Sequence, residues 1–180
     1  MKYLVMCEGS NEKAVVDNLI KNKKFLYSSD ELIGLTSYVA RQLTKDNPAY
    51  SVVSQYNKPF EILVIGDTKK EEIKIPKEFS KLVTSKDIKK YHTKPELEIL
   101  LIINQNLVKE YRKSGLTPKE FSKKYIKHNK IKYNNSKSFW ENYYLGKSHI
   151  LSQDILEYKR IKNHTKKEFY LADLIIDNLK

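Results

Sequence analysis

The amino-acid sequence predicts an α/β fold, with a small and mostly parallel sheet flanked by helices and a basic helical C-terminal part. Residues 3–7 form an apolar run of the length of a buried strand, and residues 61–65 form a second one that is apolar after Glu61. Each is followed by a glycine and a carboxylate. Helical patterns separate these runs, as they do in parallel sheets that are covered on both faces. We therefore divide the chain into an α/β core at 1–113 and a basic helical region at 114–180 that packs on it.

The first predicted strand leads through a tight turn into a helix. Glu8 and Gly9 end the apolar run, and glycine lets the backbone turn sharply without a steric penalty. The apolar positions then recur with a helical period, which predicts a helix over 12–21. Glu8 thus lies at the carboxyl end of a strand, where ligands bind in open α/β sheets. A solvated turn residue is the alternative interpretation.

Three weaker patterns follow in the N-terminal half of the chain. Residues 36–43 predict a short helix that ends before an Asn-Pro pair. Two short runs rich in valine predict further strands, at 51–54 and at 81–84.

A long apolar helix is predicted over 97–113, behind a capping box formed by Thr93 and Glu96. Glu98 lies inside this apolar run. A buried carboxylate is unfavourable unless it is paired or bound to a metal. A salt bridge with a lysine and a role as metal ligand both stay open for Glu98.

The basic helical region begins with a second capping box. Thr117 and Glu120 form it, and it predicts a helix that reaches His128. Three further helices are predicted after a polar break, at 138–145, 150–161 and 171–176.

The positive charge of the chain is concentrated in one segment. Residues 109–167 hold sixteen Lys or Arg residues and five acidic ones, which gives +11 of the net charge of +12. Such a field is typical of a surface that binds a polyanion and predicts RNA or DNA as partner; a lysine-rich composition without this function is the alternative. The predicted contacts with nucleic acid are Lys119, Lys123, Lys124, Lys127, Lys130, Lys132, Arg160 and Lys162.

Composition and motifs exclude several other classes. The single cysteine, Cys7, rules out internal disulfides and cysteine-rich zinc sites. No apolar run is long enough to cross a bilayer and no signal peptide is recognisable, so we expect a cytoplasmic protein without membrane contact. The four histidines lack metal-ligand spacing and are interpreted as surface or capping residues. Neither a P-loop nor a nucleophile elbow is present.

Two short motifs resemble those of Toprim domains, the topoisomerase–primase fold. In these domains an apolar strand ends in Glu-Gly before a helix, as in residues 5–12, VMCEGSNE. Residues 62–68, ILVIGDT, are similar to the second motif, in which a metal-binding Asp-x-Asp lies at the tip of a later strand. The resemblance covers residues 2–104 and leaves the basic helical part unexplained.

The resemblance implies phosphodiester cleavage with Mg²⁺ or Mn²⁺. Glu8 is then a general acid/base or a metal ligand, and Asp67 is a ligand. The chain has Lys69 where the second motif carries a second acidic residue, and a lysine there could stabilise developing negative charge. Glu98 and Glu12 are the candidates to complete the ligand set.

The missing acidic residue also leaves a second possibility open. The domain could be degenerate and bind nucleic acid, or act as a regulatory subunit, without cutting. Small Toprim-like proteins include nucleases of bacterial defence and of RNA maturation, so the resemblance also implies an antiviral role and an ATPase as partner protein.

Overall fold

A computed structural model describes residues 1–67, 72–94, 96–161 and 168–176 of the chain. Within these residues the main sheet has five strands, all parallel, and helices lie on both of its faces. The predicted α/β class is therefore confirmed. In the order in which they pair, the strands are β2 (Leu32–Val39), β1 (Lys2–Cys7), β3 (Phe60–Gly66), β4 (Ile88–His92) and β7 (Phe169–Tyr170).

Seven α-helices, one small hairpin and four short 3₁₀ turns make up the other regular elements of the described chain. The helices are α1 (Ser10–Lys21), α2 (Pro48–Val53), α3 (Ile99–Asn104), α4 (Val108–Ser114), α5 (Pro118–Tyr125), α6 (Lys137–Tyr143) and α7 (Ser148–Ile161). The hairpin joins β5 (Lys127–His128) to β6 (Ile131–Lys132). Among the described residues no helix combines the length and the hydrophobicity that a bilayer span requires.

The two faces of the sheet are buried in separate apolar clusters. Along β1, Val5 and Cys7 belong to the cluster on the side of α1, α3, α6 and α7, whereas Leu4 and Met6 belong to the cluster on the side of α2. All four side chains are fully buried. Successive side chains of a strand point to opposite faces, so a strand buried on both sides needs an unbroken apolar run, as β1 has.

The C-terminal helices share a core with the N-terminal half. α6 packs against α1, and α7 packs against α3. β7 extends the main sheet beside β4, and Ile175 forms a β-bridge with Phe25. The basic region is therefore built into the α/β structure, and its residues can contribute to a site at the edge of the sheet.

Three of the weaker predictions are wrong. Residues 36–39 belong to β2 and are not helical, and 51–53 belong to α2 and not to a strand. The Asn-Pro pair begins a helix instead of ending one, because Asn47 Oδ1 accepts a hydrogen bond from Tyr50 N at 2.9 Å and Pro48 occupies the first turn. The fourth strand is β4, which follows the segment 81–84.

The helix predicted over 97–113 is split into α3 and α4. Between them Asn106 has a φ of 57°, a left-handed conformation that asparagine tolerates and that ends α3. Thr93 does not cap the helix. Its buried hydroxyl has no hydrogen-bond partner among the described residues, and the residue at the N-cap of α3 is Glu98.

Two C-terminal predictions also need correction. α5 has the predicted capping box but ends at Tyr125, and the hairpin follows. Its two turn residues, Asn129 and Lys130, both have positive φ, as a type I′ turn requires. The last predicted helix is a short 3₁₀ turn over Leu171–Leu174.

Asp154 is a buried carboxylate between α7 and α3. Its Oδ2 accepts hydrogen bonds from the Tyr144 hydroxyl and from Asn104 Nδ2, both at 2.9 Å. Burial outweighs these bonds and raises the pKa of Asp154 from its ordinary value of 3.8 to about 6. Because the ionised form is less favourable in the folded chain, Asp154 lowers the free energy of unfolding above pH 6. This destabilisation fades as the pH falls through 6 toward 3.8.

We expect Asp154→Asn to raise the free energy of unfolding near pH 7.5, by up to about 3 kcal/mol for a pKa difference of about two units. The amide oxygen can keep both hydrogen bonds, since both reach the same carboxylate oxygen. The difference from the wild type should shrink near pH 4. Urea unfolding at both pH values measures it, with the exposed Glu141→Gln as control. A variant less stable than the wild type near pH 7.5 would contradict this explanation.

Candidate metal centre

Strand pairing brings two of the predicted site residues together. β1 and β3 are neighbours, with Cys7 opposite Ile65, so Glu8 and Asp67 follow adjacent strand ends. Glu8 N donates to Ile65 O at 2.9 Å, and Asp67 N donates to Glu8 Oε2 at 3.0 Å. The chain passes from β1 to β2 on one side and then to β3 on the other. Glu8 and Asp67 therefore lie at the switch point of the sheet, where open α/β sheets bind ligands.

Glu12 and Glu98 lie in the same pocket as this pair. The pocket has a volume of about 280 Å³ and is open to solvent. Glu12 comes from the first turn of α1, and Glu98 immediately precedes α3. The other polar side chains that line the pocket are those of Ser10, Asn11, Arg41, Glu96, Lys119 and Asn135.

The other carboxylates of the pocket are close enough to affect the ionisation of Glu12. The pKa of Glu12 is raised above its ordinary value, first by burial and then by the negative charges of Glu8, Glu98 and Asp67. Like charges that are held together destabilise one another. A cation in this pocket would remove that repulsion.

Contacts with Asp67 and with Arg41 hold the Glu8 carboxylate in place. Oε2 accepts the backbone hydrogen bond from Asp67, and Oε1 lies 3.1 Å from Nη2 of Arg41. Arg41 follows β2 at the same edge of the sheet. Sequence reasoning missed Arg41 because 36–43 was assigned to a helix. The available signal was its rarity, since the chain has three arginines among its 34 basic residues.

Glu98 is only 5% exposed, and its partner is a tyrosine. The Tyr133 hydroxyl donates to Glu98 Oε1 at 2.6 Å. Among the described residues no Lys or Arg nitrogen pairs with Glu98, so the salt-bridge alternative is wrong. Glu96 does not serve the predicted cap either, because its Oε2 accepts from the backbone N of Lys119 at 2.8 Å. Sequence reasoning offered no signal for Tyr133, which lies 35 residues from its partner.

Three other predicted positions need comment. His92 was interpreted as a surface or capping residue, but it is the last residue of β4, pairs with Gly66 and is 9% exposed. The error follows from the missed strand. Lys69 and Lys162 lie outside the described residues.

The donor set of the pocket fits a hard divalent cation. Its side chains offer carboxylate and amide oxygens, and Asn11 Oδ1 is buried without a hydrogen-bond partner among the described residues. As the side chains are placed, no three acidic, histidine or cysteine residues of the described chain are close enough to ligate one ion. Mg²⁺ typically takes only one or two carboxylates and keeps several waters. The residues therefore suit a partly hydrated Mg²⁺ or Mn²⁺.

The basic residues begin at the rim of this pocket. Lys119 lines the pocket itself. The side chains of Lys123, Lys124, Lys127, Lys130, Lys132 and Arg160 are exposed. The hairpin carries three of these lysines and leads directly into Tyr133, so the positive surface and the acidic pocket are joined by one short segment. Arg160 pairs with Glu157 at 3.2 Å, which offsets part of its charge.

Comparisons of the chain with protein-family models, with curated proteins and with solved structures find no match. The Toprim resemblance thus depends on residues 5–12 and 62–68, and the function has to be argued from the site.

Gly66 allows the close approach of Glu8, and we expect Gly66→Ala to disturb the pocket. An added Cβ would lie 2.7 Å from the Glu8 Cβ and would also clash with Oε2. Overpacking of this kind lowers the free energy of unfolding by about 1–3 kcal/mol. Because Glu8 must move, the variant should also bind Mn²⁺ more weakly, as measured by calorimetric titration.

The matched control is Gly146→Ala. Gly146 has a φ of 69°, and nothing lies within 4 Å of an added Cβ, so this exchange strains the backbone without touching the pocket. Equal Mn²⁺ affinities of the two variants would show that the space at Gly66 does not matter to the site.

Proposed function

We propose that this protein is a divalent-metal-dependent nuclease that cleaves phosphodiester bonds in RNA or DNA. One observation carries the proposal: the four predicted carboxylates, Glu8, Glu12, Asp67 and Glu98, line one pocket at the switch point of the sheet, together with Glu96. Nucleases need oxygen ligands for a metal at the reacting phosphate, and a strand-tip cluster can supply them.

The residues divide into three roles. Asp67, Glu12 and Glu98 would hold the ion, with one or two of them as direct ligands and waters between the ion and the rest. The bound ion would lower the pKa of a water and offset charge on the phosphate. Glu8 accepts a proton from the attacking water at one carboxylate oxygen and can return it to the leaving oxygen. Arg41 lies beside Glu8 and stabilises the negative charge that develops on the phosphate. A similar role of Lys69 stays a prediction from sequence.

The basic segment supplies affinity for the polyanion. Lys119 sits in the pocket wall, where a phosphate near the ion would meet a positive charge. The exposed lysines of α5 and of the hairpin extend this field along the surface. Contacts of this kind hold the backbone of a nucleic acid and carry no sequence information, so we expect little sequence preference.

A non-catalytic nucleic-acid-binding or regulatory subunit is the second candidate. The Arg41–Glu8 ion pair and the lack of three preplaced ligands among the described residues favour it. Its lysines would bind nucleic acid as in the first candidate, but no bond would be cut.

Incubation with substrate separates the two candidates. Purified protein is mixed with supercoiled plasmid DNA and with total and transfer RNA, in Mg²⁺, in Mn²⁺ and in EDTA. Cleavage of either polymer that needs the metal supports the nuclease. Binding without cleavage in either metal supports the second candidate.

The proposal also includes a cellular location and a biological role. We propose a cytoplasmic location, and its support comes from the sequence: with one cysteine, Cys7, the chain can form no internal disulfide. A role in antiviral defence beside an ATPase follows from the Toprim resemblance alone.

A further inference from the structure

A buried hydrogen bond links the basic region to the acidic pocket. The Tyr133 hydroxyl donates to Glu98 Oε1 at 2.6 Å and lies 3.1 Å from Asn135 Oδ1. Asn135 Oδ1 in turn accepts from Asn11 Nδ2 of α1 at 2.9 Å. These hydrogen bonds thus connect three separate parts of the chain: the segment of Tyr133 and Asn135, the residue before α3, and the start of α1.

Tyr133 is held firmly in place. It is 3% exposed, and its ring packs edge-on against Phe139 and Trp140 of α6, with ring centroids 5.1 and 6.2 Å away. Its backbone N donates to Ile126 O at 3.0 Å, which closes the base of the hairpin. A donor on such a rigid ring restricts the orientation of the carboxylate that it contacts.

We propose that Tyr133 is a positioning residue of the metal centre, which fixes Glu98 so that its second oxygen can bind the ion. This inference rests on the proposed metal site. Among the described residues Glu98 Oε2 accepts no hydrogen bond, and Glu98 lines the pocket. Groups that hydrogen-bond a ligating carboxylate orient it, and their removal weakens metal binding.

The direction of the hydrogen bond supports this role. A carboxylate oxygen accepts hydrogen bonds, so the Tyr133 hydroxyl is the donor in its 2.6 Å contact with Glu98 Oε1. The basic region therefore contributes a side chain to the metal centre as well as lysines to the nucleic-acid surface.

A second tyrosine in the chain provides a matched control. Tyr144 is 1% exposed, and its hydroxyl donates to the buried Asp154 at 2.9 Å. Neither residue lines the pocket. Tyr144→Phe removes the same chemical group from the same kind of partner, so a purely structural effect of losing a buried hydroxyl should appear in both variants.

The test is a titration of wild type, Tyr133→Phe and Tyr144→Phe with Mn²⁺ in the absence of nucleic acid. We expect Tyr133→Phe to bind Mn²⁺ about 10-fold or more weakly, as removal of such partners commonly does. Water proton relaxation should show at least one additional water on the bound Mn²⁺ where Glu98 has left it. Tyr144→Phe should match the wild type in both measurements.

Glu98→Asp keeps the inference testable if Tyr133→Phe does not fold. Aspartate preserves the charge, but its side chain is one methylene shorter. The carboxylate then cannot both accept the hydrogen bond from Tyr133 and bind the ion, so the affinity for Mn²⁺ should fall. Unchanged affinity in either variant, or equal losses in Tyr133→Phe and Tyr144→Phe, would overturn the inference and leave the metal site standing. Absence of Mn²⁺ binding by the wild type would overturn both.

Discussion

Replacing Glu8 with glutamine is expected to abolish metal-dependent cleavage while leaving the protein folded. Glutamine has nearly the same shape and can still accept the hydrogen bond from Asp67 N. It cannot accept a proton from water at neutral pH. General acid–base groups contribute about 100-fold to 10,000-fold to a rate, so the cleavage rate should fall by at least the lower figure. Asp67→Asn should have a comparable effect through loss of a ligand.

The fold should tolerate this exchange because it removes a charge from a crowded acidic pocket. Removing this charge should raise the free energy of unfolding. The simultaneous loss of the ion pair with the exposed Arg41 should lower it only slightly, because ion pairs with exposed groups contribute little to stability. The melting temperature should change by no more than a few degrees.

Glu61→Gln is the matched control. Glu61 pairs with Lys89 of β4 at 2.7 Å near the start of β3, at the opposite edge of the sheet from the pocket. Its replacement also breaks a carboxylate–cation pair, but it should leave cleavage unchanged. Full activity of Glu8→Gln, or equal losses in the two variants, would refute the assigned role of Glu8.

Reversing the charge of Lys123, Lys124 and Lys127 to glutamate is expected to weaken nucleic-acid binding strongly for every sequence. The three exposed side chains belong to α5 and to the start of the hairpin, and they follow Lys119, which lines the pocket. For duplex DNA the log–log dependence of affinity on salt has a slope of about −0.9 per phosphate neutralised. The slope should therefore become shallower by about 0.9 for each contact that is lost.

A control with the same change in charge distinguishes a local surface from a general charge effect. Lys45, Lys58 and Lys81 are exposed and lie outside the basic segment. Their reversal to glutamate should weaken binding much less and keep the salt slope. Fluorescence anisotropy with a labelled duplex and with a labelled RNA, at several salt concentrations, measures both quantities. Equal effects of the two triple variants would favour the compositional origin of the lysines.

The strands that sequence reasoning predicted are those with continuous apolar runs. β1 and β3 are buried on both faces, so their sequences are apolar at successive positions and can be recognised without further context. β2 could not be recognised in this way. Its pairing with β1 shifts register between Tyr3 and Val5, and Gly34 and Leu35 have positive φ. The regular alternation of inward-facing and outward-facing side chains is therefore interrupted along β2.

β4 was missed for a different reason. It carries two lysines in five residues, and Lys89 is accommodated by Glu61 on the neighbouring strand. Such cross-strand pairs cannot be seen from the strand's own sequence. β7 has only two residues, and they lie about 80 residues after β4, with which they pair. Such a short strand has no recognisable pattern in the sequence.

The same distinction separates the predicted from the missed parts of the site. Glu8 and Asp67 were predictable because each directly follows an apolar strand, so local sequence places them at the carboxyl edge. Arg41 and Tyr133 were not, because their positions depend on the undetected β2 and on tertiary packing of the basic region. Glu98 was noticed from its apolar surroundings, but its partner could only be found in three dimensions.

The most direct measurement of the central claim is an anomalous difference map from crystals soaked in Mn²⁺. The site described above predicts one strong peak in the pocket between Glu12, Asp67 and Glu98, bound to at least two carboxylate oxygens, with waters completing the coordination shell. The same crystals of Asp67→Asn should show a weaker peak or none. A pocket without Mn²⁺ at millimolar metal, or a peak bound only elsewhere on the protein, would contradict the assignment of this edge of the sheet as a metal centre.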